Sequence, residues 1–315
     1  MLDLIIIGGS AAGASAAIYA ARRNLQFKLI TNDLGGEVAL SGEVNNWPGI
    51  ISIQGYELAK KFAAHVKYYN VDIMEGCRVE SIAPKNNYHL VATKNSNGEK
   101  QQYRTKTVII ATGIHPRELN LPGEKEFRGK GVTYCTVCDG PLFKNKITAT
   151  IGSGNSALES ALMMTHIAQK VYLISKYPND QKNNFGFPRG ENILIDKIKT
   201  LSNIEIVYNA ATTKIIGDKM VDAIEYTDNS NVENRKIVVQ GVMVHVGQIP
   251  NSSFVDCIDK DKIGQIIVDQ KCQTNCPGIF AAGDVTNIPY KQISIASGQG
   301  IVASLAAIEY INKWR

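Results

Sequence analysis

Cysteine is scarce here: 6 in 315 residues, beside 2 tryptophans and 7% aromatic residues. So few thiols cannot staple a chain of this length, which excludes the disulfide scaffold of small secreted domains. Long hydrophobic runs are missing too. None reaches the ~18 residues of a membrane span, so no membrane partner is expected. Nor does one charge dominate. The 34 Lys and Arg against 29 Asp and Glu leave +5, with a pI of about 8.7. The basic residues are scattered, which argues against a nucleic-acid partner; a mild positive field suits an acidic protein partner. Met1-Leu2-Asp3 runs straight into an apolar stretch, so no export signal is expected and the setting reads as cytoplasmic. In that reducing setting a Cys-x-x-Cys is usually catalytic or metal-binding.

What is present is an ordinary globular composition, 44% hydrophobic and 20% charged, long enough for two domains. Leu4-Ile5-Ile6-Ile7 reads as a strand buried on both faces, followed by Gly8-Gly9-Ser10-Ala11-Ala12-Gly13 and a helix of small residues, Ala14 to Arg22. Strand, glycine-rich turn and helix make a dinucleotide fingerprint: backbone approaches a pyrophosphate, and the helix N-terminus attracts its charge. Ser10 replaces the middle glycine, and the next strand, Phe27 to Thr31, lacks the terminal acid that holds a ribose. The unit recurs 144 positions on, from Gly8 to Gly152. The strand Ile147 to Ile151 leads into Gly152-Ser153-Gly154-Asn155-Ser156-Ala157 and a helix, Leu158 to His166. Such repetition points to two related α/β domains, and the fuller glycine pattern favours a nicotinamide dinucleotide.

Between the fingerprints stands Cys135-Thr136-Val137-Cys138-Asp139-Gly140. Two thiols so spaced can open and close a disulfide, with Asp139 a candidate proton carrier. The lesser alternatives are half of a zinc site, with Cys272 and Cys276 the remote complement, or two buried thiols. Their place ahead of a nucleotide fingerprint favours redox chemistry. Gly35-Gly36-Glu37-Val38 and Asn45 to Gly49 read as loops, and Gly55 to Tyr69 as an amphipathic helix. Tyr88 to Thr93, Gln101 to Lys106 and Thr107 to Gly113 read as three strands, the last ending at Thr112-Gly113. The polar stretch Asn179 to Gly190 reads as a mobile loop. Asn203 to Asn209, Thr213 to Ile216, Met220 to Thr227 and Lys236 to Gln240 read as a strand meander. Ala281-Ala282-Gly283-Asp284 places a carboxylate before the last helix, Ser294 to Lys313, as a cap or as a ligand for a ribityl hydroxyl. Cys77, Cys257, Cys272 and Cys276 read as structural.

Cys135 to Phe143, Ala281 to Val285, and Tyr290-Lys291-Gln292-Ile293 together resemble the low-molecular-weight thioredoxin reductases. They are equally similar to the flavoprotein component of alkyl hydroperoxide reductase without its N-terminal domain. That resemblance implies two Rossmann-like, three-layer ββα domains, the second inserted in the first: an FAD-binding domain, 1–116 and 248–315, and a nucleotide-binding-like domain, 117–247, carrying the cysteine pair. It implies FAD held by Gly8, Ser10, Ala12, Gly13, Gly35, Gly36, Val38, Asn46, Val79, Thr112, Gly113, Gly283, Asp284, Lys291, Gln292 and Ile293. Cys138 is expected to face the flavin, Cys135 to attack a partner's disulfide, and Asp139 to carry the proton. Hinges are expected near Pro116 and Gly247 to Asn251, and the assembly is expected to be a homodimer. Gly152, Gly154, Asn155, Ser156 and Lys176 are the expected contacts for NADPH or NADH. Where the thioredoxin reductase pattern has His-Arg-Arg, this chain has Ser175-Lys176-Tyr177, and lysine does not replace an arginine fork on a 2′-phosphate. Ferredoxin is therefore a further expected donor. The expected acceptor is a thioredoxin-like protein; the alternative is a thiol oxidase that passes electrons to oxygen.

Overall fold

The computed structural model describes residues 1–41 and 43–314, leaving aside the side chains of Glu43 and Cys138. Contacts divide them into two units: Met1–His115 with Ile249–Arg315, and Pro116–Gln248.

In the first unit the apolar run forms the strand Leu2–Ile7, parallel to both its neighbours inside a mixed seven-stranded sheet. Ile7 aligns with Ile30 on one side and with Ile110 on the other. Alternation then sorts its side chains between two cores. Leu4 and Ile6 join the cluster containing Leu29, Ile109 and Phe280, while Ile5 and Ile7 join Ile30, Val108, Val255 and Ile266. Each fully buried residue of this size contributes roughly 1.5–3 kcal/mol. The two strands expected at 101–106 and 107–113 are one strand, Lys100–Ile110. It changes partner halfway: its first half pairs antiparallel with His89–Asn95, and its second half pairs parallel with Ile279–Ala281. That change of partner is invisible in the local pattern.

The helix Ala11–Arg22 starts directly after the glycine turn, three residues earlier than its small-residue run suggests. It packs on the C-terminal helix Ile293–Lys313 through small residues. A side chain at Gly300 would overlap the Ala12 carbonyl oxygen, and the Ser304 hydroxyl donates to the Ala16 carbonyl at 3.1 Å. By length and composition this C-terminal helix is the one helix among the described residues that could cross a membrane, but Ala303, Ala306, Ala307 and Ile308 are buried in the unit. The expected loop at Gly35 to Val38 is instead a short helix, Gly36–Leu40, whose first amide donates to Asp33 Oδ1 at 2.9 Å.

The second unit holds a five-stranded parallel sheet in the order Val132–Thr133, Gly241–Val244, Ile147–Ile151, Lys170–Ile174, Ile204–Val207. Ile204–Val207 therefore does not belong to a meander. The helix Asn192–Lys199, unread in the sequence, carries the chain across the sheet by burying Ile195 and Ile198, so the next strand pairs in parallel with Lys170–Ile174. The meander is the three-stranded antiparallel sheet Ala210–Gly217, Val221–Asp228 and Glu233–Val238. The expected mobile loop is tethered. Phe187 is fully buried, the Ser175 hydroxyl donates to the Gly186 carbonyl at 2.6 Å, and the Asn184 amide bridges the Phe187 and Gly190 carbonyls.

Candidate active site

Cys135 leaves the edge strand Val132–Thr133 and enters a single helical turn, Thr136–Asp139. The hydroxyl of Thr133 organises this turn. It accepts the Cys135 amide at 3.0 Å and donates to Asp139 Oδ2 at 2.5 Å, and the Asp139 amide closes the turn on the Cys135 carbonyl at 3.1 Å. Cys135 is half-buried and disulfide-bonded. The side chain of Cys138, the other cysteine of the motif, lies outside the described residues. Behind the turn, Thr136 Oγ1 lies 2.5 Å from Ser160 Oγ and 2.8 Å from His245 Nε2. Burial pushes the imidazole of His245 down to about 4. It is therefore neutral at physiological pH and acts as a hydrogen-bonding post for Thr136. Tyr134 donates to Glu124 Oε1 at 2.7 Å, and Glu124, fully buried, also accepts the amides of Leu119 and Asn120. Val137, within the turn, and Leu142, just after it, stand 49% and 69% exposed, an apolar rim close in sequence to Cys135.

In the same unit the second fingerprint contains two unlike glycines. Gly152 has φ +151°, and a side chain there would overlap the His245 carbonyl oxygen, so packing alone demands glycine. At Gly154 a Cβ would meet nothing closer than Arg189, at 3.8 Å. A small side chain would sit there in ordinary contact, so the protein's own packing does not demand glycine. Arg189, exposed, runs beside Gly154 in a parallel bridge. Asn155 and Glu191 exchange two 2.8 Å hydrogen bonds, which fasten the loop's return to the helix start. Lys176 reaches over the ring of Tyr177, 5.3 Å from its centroid. Arg189 escapes the sequence pattern because it lies fourteen positions beyond Ser175; its signal is the Pro188-Arg189-Gly190 step just before the helix Asn192–Lys199.

The first fingerprint lies in the other unit. Gly8, φ +111°, backs onto the Ala111 carbonyl, and a side chain at Gly13 would overlap the Gly8 carbonyl. Ser10, at the N-cap, gives its side chain no role in capping; its hydroxyl donates to the Gly35 carbonyl at 2.5 Å. Among the described residues no side chain caps the first turn of Ala11–Arg22, which has no acidic side chain. Ala12 touches Gly283, where a Cβ would come within 3.0 Å of it. The Gly283 amide donates to Gln299 Oε1 at 2.8 Å. Asn46 donates to Gln292 Oε1 at 3.0 Å, across 246 positions of sequence. Asp284 has no hydrogen-bond partner among the described residues, and burial raises its carboxyl, partly offset by Lys291. Lys291 itself donates to the Thr286 carbonyl at 2.6 Å. Thr112 and Asn251 are tied by two bonds, of 2.6 and 2.8 Å, and a side chain at Gly113 would meet nothing within 4 Å. Gly36 faces Ser10, and Val38 is buried in the core that holds Leu4 and Ile6. Val79 is buried in the opposite core, in the cluster of Cys77, Ile82 and Val91.

The signature of the pyridine nucleotide-disulphide oxidoreductases matches residues 2–300. The chain belongs to that family. The F component of alkyl hydroperoxide reductase from Pseudomonas putida is 40% identical over 311 residues, 98% of this chain and 58% of that protein. The chain thus spans little more than half the length of that relative. The thioredoxin reductase of Lactococcus lactis superposes with a TM-score of 0.79 at 32% identity, covering 99% of this chain and all of that one. The T. acidophilum thioredoxin reductase gives 0.76 at 38% identity, over 99% and 98%. The family binds FAD and uses NAD(P)H. The uncapped first turn after Ser10, the Asp284 carboxylate without a hydrogen-bond partner among the described residues, and the open face of Gly113 fit an FAD pyrophosphate and ribityl chain. Among the described residues no three His, Cys, Asp or Glu gather as a metal site.

Proposed function

We propose that this chain is an FAD-dependent protein-disulfide oxidoreductase that passes two electrons from a nicotinamide dinucleotide, through Cys135 and Cys138, to a small thioredoxin-like protein. The observation that carries this is the turn itself: a disulfide-bonded Cys135 beside a carboxylate that Thr133 holds on the same turn, with an exposed apolar rim for a protein partner. When bound, FAD supplies the two-electron step between donor and dithiol. Gly8, Ser10, Gly13 and the first turn of Ala11–Arg22 would hold its pyrophosphate, and Asp284 would accept from a ribityl hydroxyl. Once the pair is reduced, the Cys135 thiolate attacks the partner's disulfide. One partner sulfur stays on Cys135 and the other leaves, taking from Asp139 the proton that the Cys135 thiol gave it on becoming a thiolate. Cys138 then attacks the Cys135 sulfur, restoring the disulfide and releasing the second partner thiol. Gly154 and Arg189 hold the nicotinamide dinucleotide.

The test is to trap the mixed disulfide. A Cys138→Ser chain, mixed with thioredoxin that lacks its second cysteine and carries 5-thio-2-nitrobenzoate as a mixed disulfide on the first, should release that thiolate and form a covalent complex joined at Cys135. A chain that forms no complex, yet consumes oxygen rapidly with dithiols, is instead a thiol oxidase.

A further inference from the structure

Two more cysteines meet far from the Cys135 turn. Cys257 and Cys276 are free and half-buried, pack against the same apolar cluster as Val255 and Ile279, and lie close enough for each thiol to influence the other's titration. The chain around them is built to keep them together. The Asp259 amide donates to Asn275 Oδ1 at 2.9 Å. The Thr274 hydroxyl accepts the Cys276 amide at 3.2 Å, and the Ile279 amide donates to the Cys276 carbonyl at 3.0 Å. Cys272 differs: it is buried and gives its thiol to the Gln299 carbonyl. Cys276 also forms part of the wall of a cavity of about 560 Å³, with Lys85, Lys106, Lys313, Tyr310 and Trp314. Among the described residues no acidic side chain lines it. Lys106 and Lys313 are paired with Asp3 and Glu309 outside the wall, and Lys85 has no ion pair among the described residues.

We infer that Cys257 and Cys276 form a second dithiol–disulfide couple, oxidised by anionic low-molecular-weight disulfides that enter the lysine-lined cavity. The Cys276 thiolate attacks the external disulfide, forming a mixed disulfide and releasing one thiolate. The Cys257 thiolate then attacks the Cys276 sulfur, the second external thiolate leaves, and the Cys257–Cys276 bond closes. The protein gives up two electrons and two protons; the external disulfide becomes two thiols. Burial raises both protein thiols, so the exchange is slow at neutral pH and is best followed under mildly alkaline conditions. The closed bond staples residues 257–276, the segment that leads into Ile279–Ala281 and Asp284.

The inference is independent of the Cys135 relay, and its readout needs neither donor nor flavin reduction. The full chain carrying Cys135→Ser is incubated with oxidised glutathione, alkylated and mapped by peptide mass spectrometry. A Cys257–Cys276 cross-linked peptide is expected. In Cys257→Ser it should be replaced by glutathione held on Cys276, with an unchanged circular dichroism spectrum certifying the fold. Oxidised glutathione should react at least about tenfold faster than cationic cystamine. Full alkylation of both thiols, or glutathione adducts without the cross-link, would overturn the couple; equal rates with the two disulfides would overturn the cavity route.

Discussion

His245 and Asp284 show how burial sets different tasks for two ionisable groups. His245 is depressed to about 4, against an ordinary histidine near 6.5. Between those values the unfolded chain takes up a proton that the folded chain refuses, so stability falls as pH drops from 6.5 toward 4. The loss is at most about 3 kcal/mol. His245→Asn should flatten urea-unfolding stability across that window; an unchanged slope would mean that another group titrates there. Asp284 is shifted the other way. Its raised pKa means that stability is lost as pH rises through its titration, and that the ionised carboxylate is a folding cost at neutral pH. Asp284→Asn should therefore leave the apo-protein as stable or more stable while weakening FAD retention by at least about tenfold, on the scale of one charge-assisted hydrogen bond. Calorimetry of the apo-protein beside a flavin-binding titration separates the two effects. At this scale the sequence showed the cysteines but not their supports. Thr133 lies next to the motif, yet Ser160 and His245 come from 24 and 109 positions away from Thr136, and no local pattern joins them.

Glycines distinguish packing from ligand at the scale of elements. Gly152→Ala should impair folding, because its Cβ would strike the backbone of residue 245. Gly154→Ala should fold normally and lose affinity for the nicotinamide dinucleotide; unchanged affinity would show that the second fingerprint no longer binds one. On the C-terminal helix, Gly300→Ala should destabilise the chain by roughly 1–3 kcal/mol as the helix is pushed off Ala12. Gly298→Ala, with open space around it, should gain up to about 1 kcal/mol from helix propensity. Thermal unfolding of the pair reads the difference directly. The sequence displayed those elements whose periodicity is local: the run at Leu4 to Ile7, the helix Gly55–Tyr68 and the repeated strand-turn-helix. It concealed the helix Asn192–Lys199 behind a polar approach, and with it the parallel pairing of Ile204–Val207. Parallel partners are distant in sequence, and only the intact crossover assigns them.

For the whole molecule, the doubled fingerprint and the cysteine pair made the α/β family legible, and the family signature spans residues 2–300. The choice of donor was not legible. The cation beside the second fingerprint comes from Arg189, at the far end of a loop whose tether, Phe187, is itself hidden in a polar stretch. The most direct test of the central claim is anaerobic. The flavin-loaded chain is reduced with NADH or NADPH, its flavin absorbance is followed, and thioredoxin disulfide is then added to the wild type and to Cys135→Ser. The relay predicts bleaching by a nicotinamide in both, and reoxidation by thioredoxin disulfide in the wild type alone. Reoxidation of the Cys135→Ser flavin at the wild-type rate would contradict it.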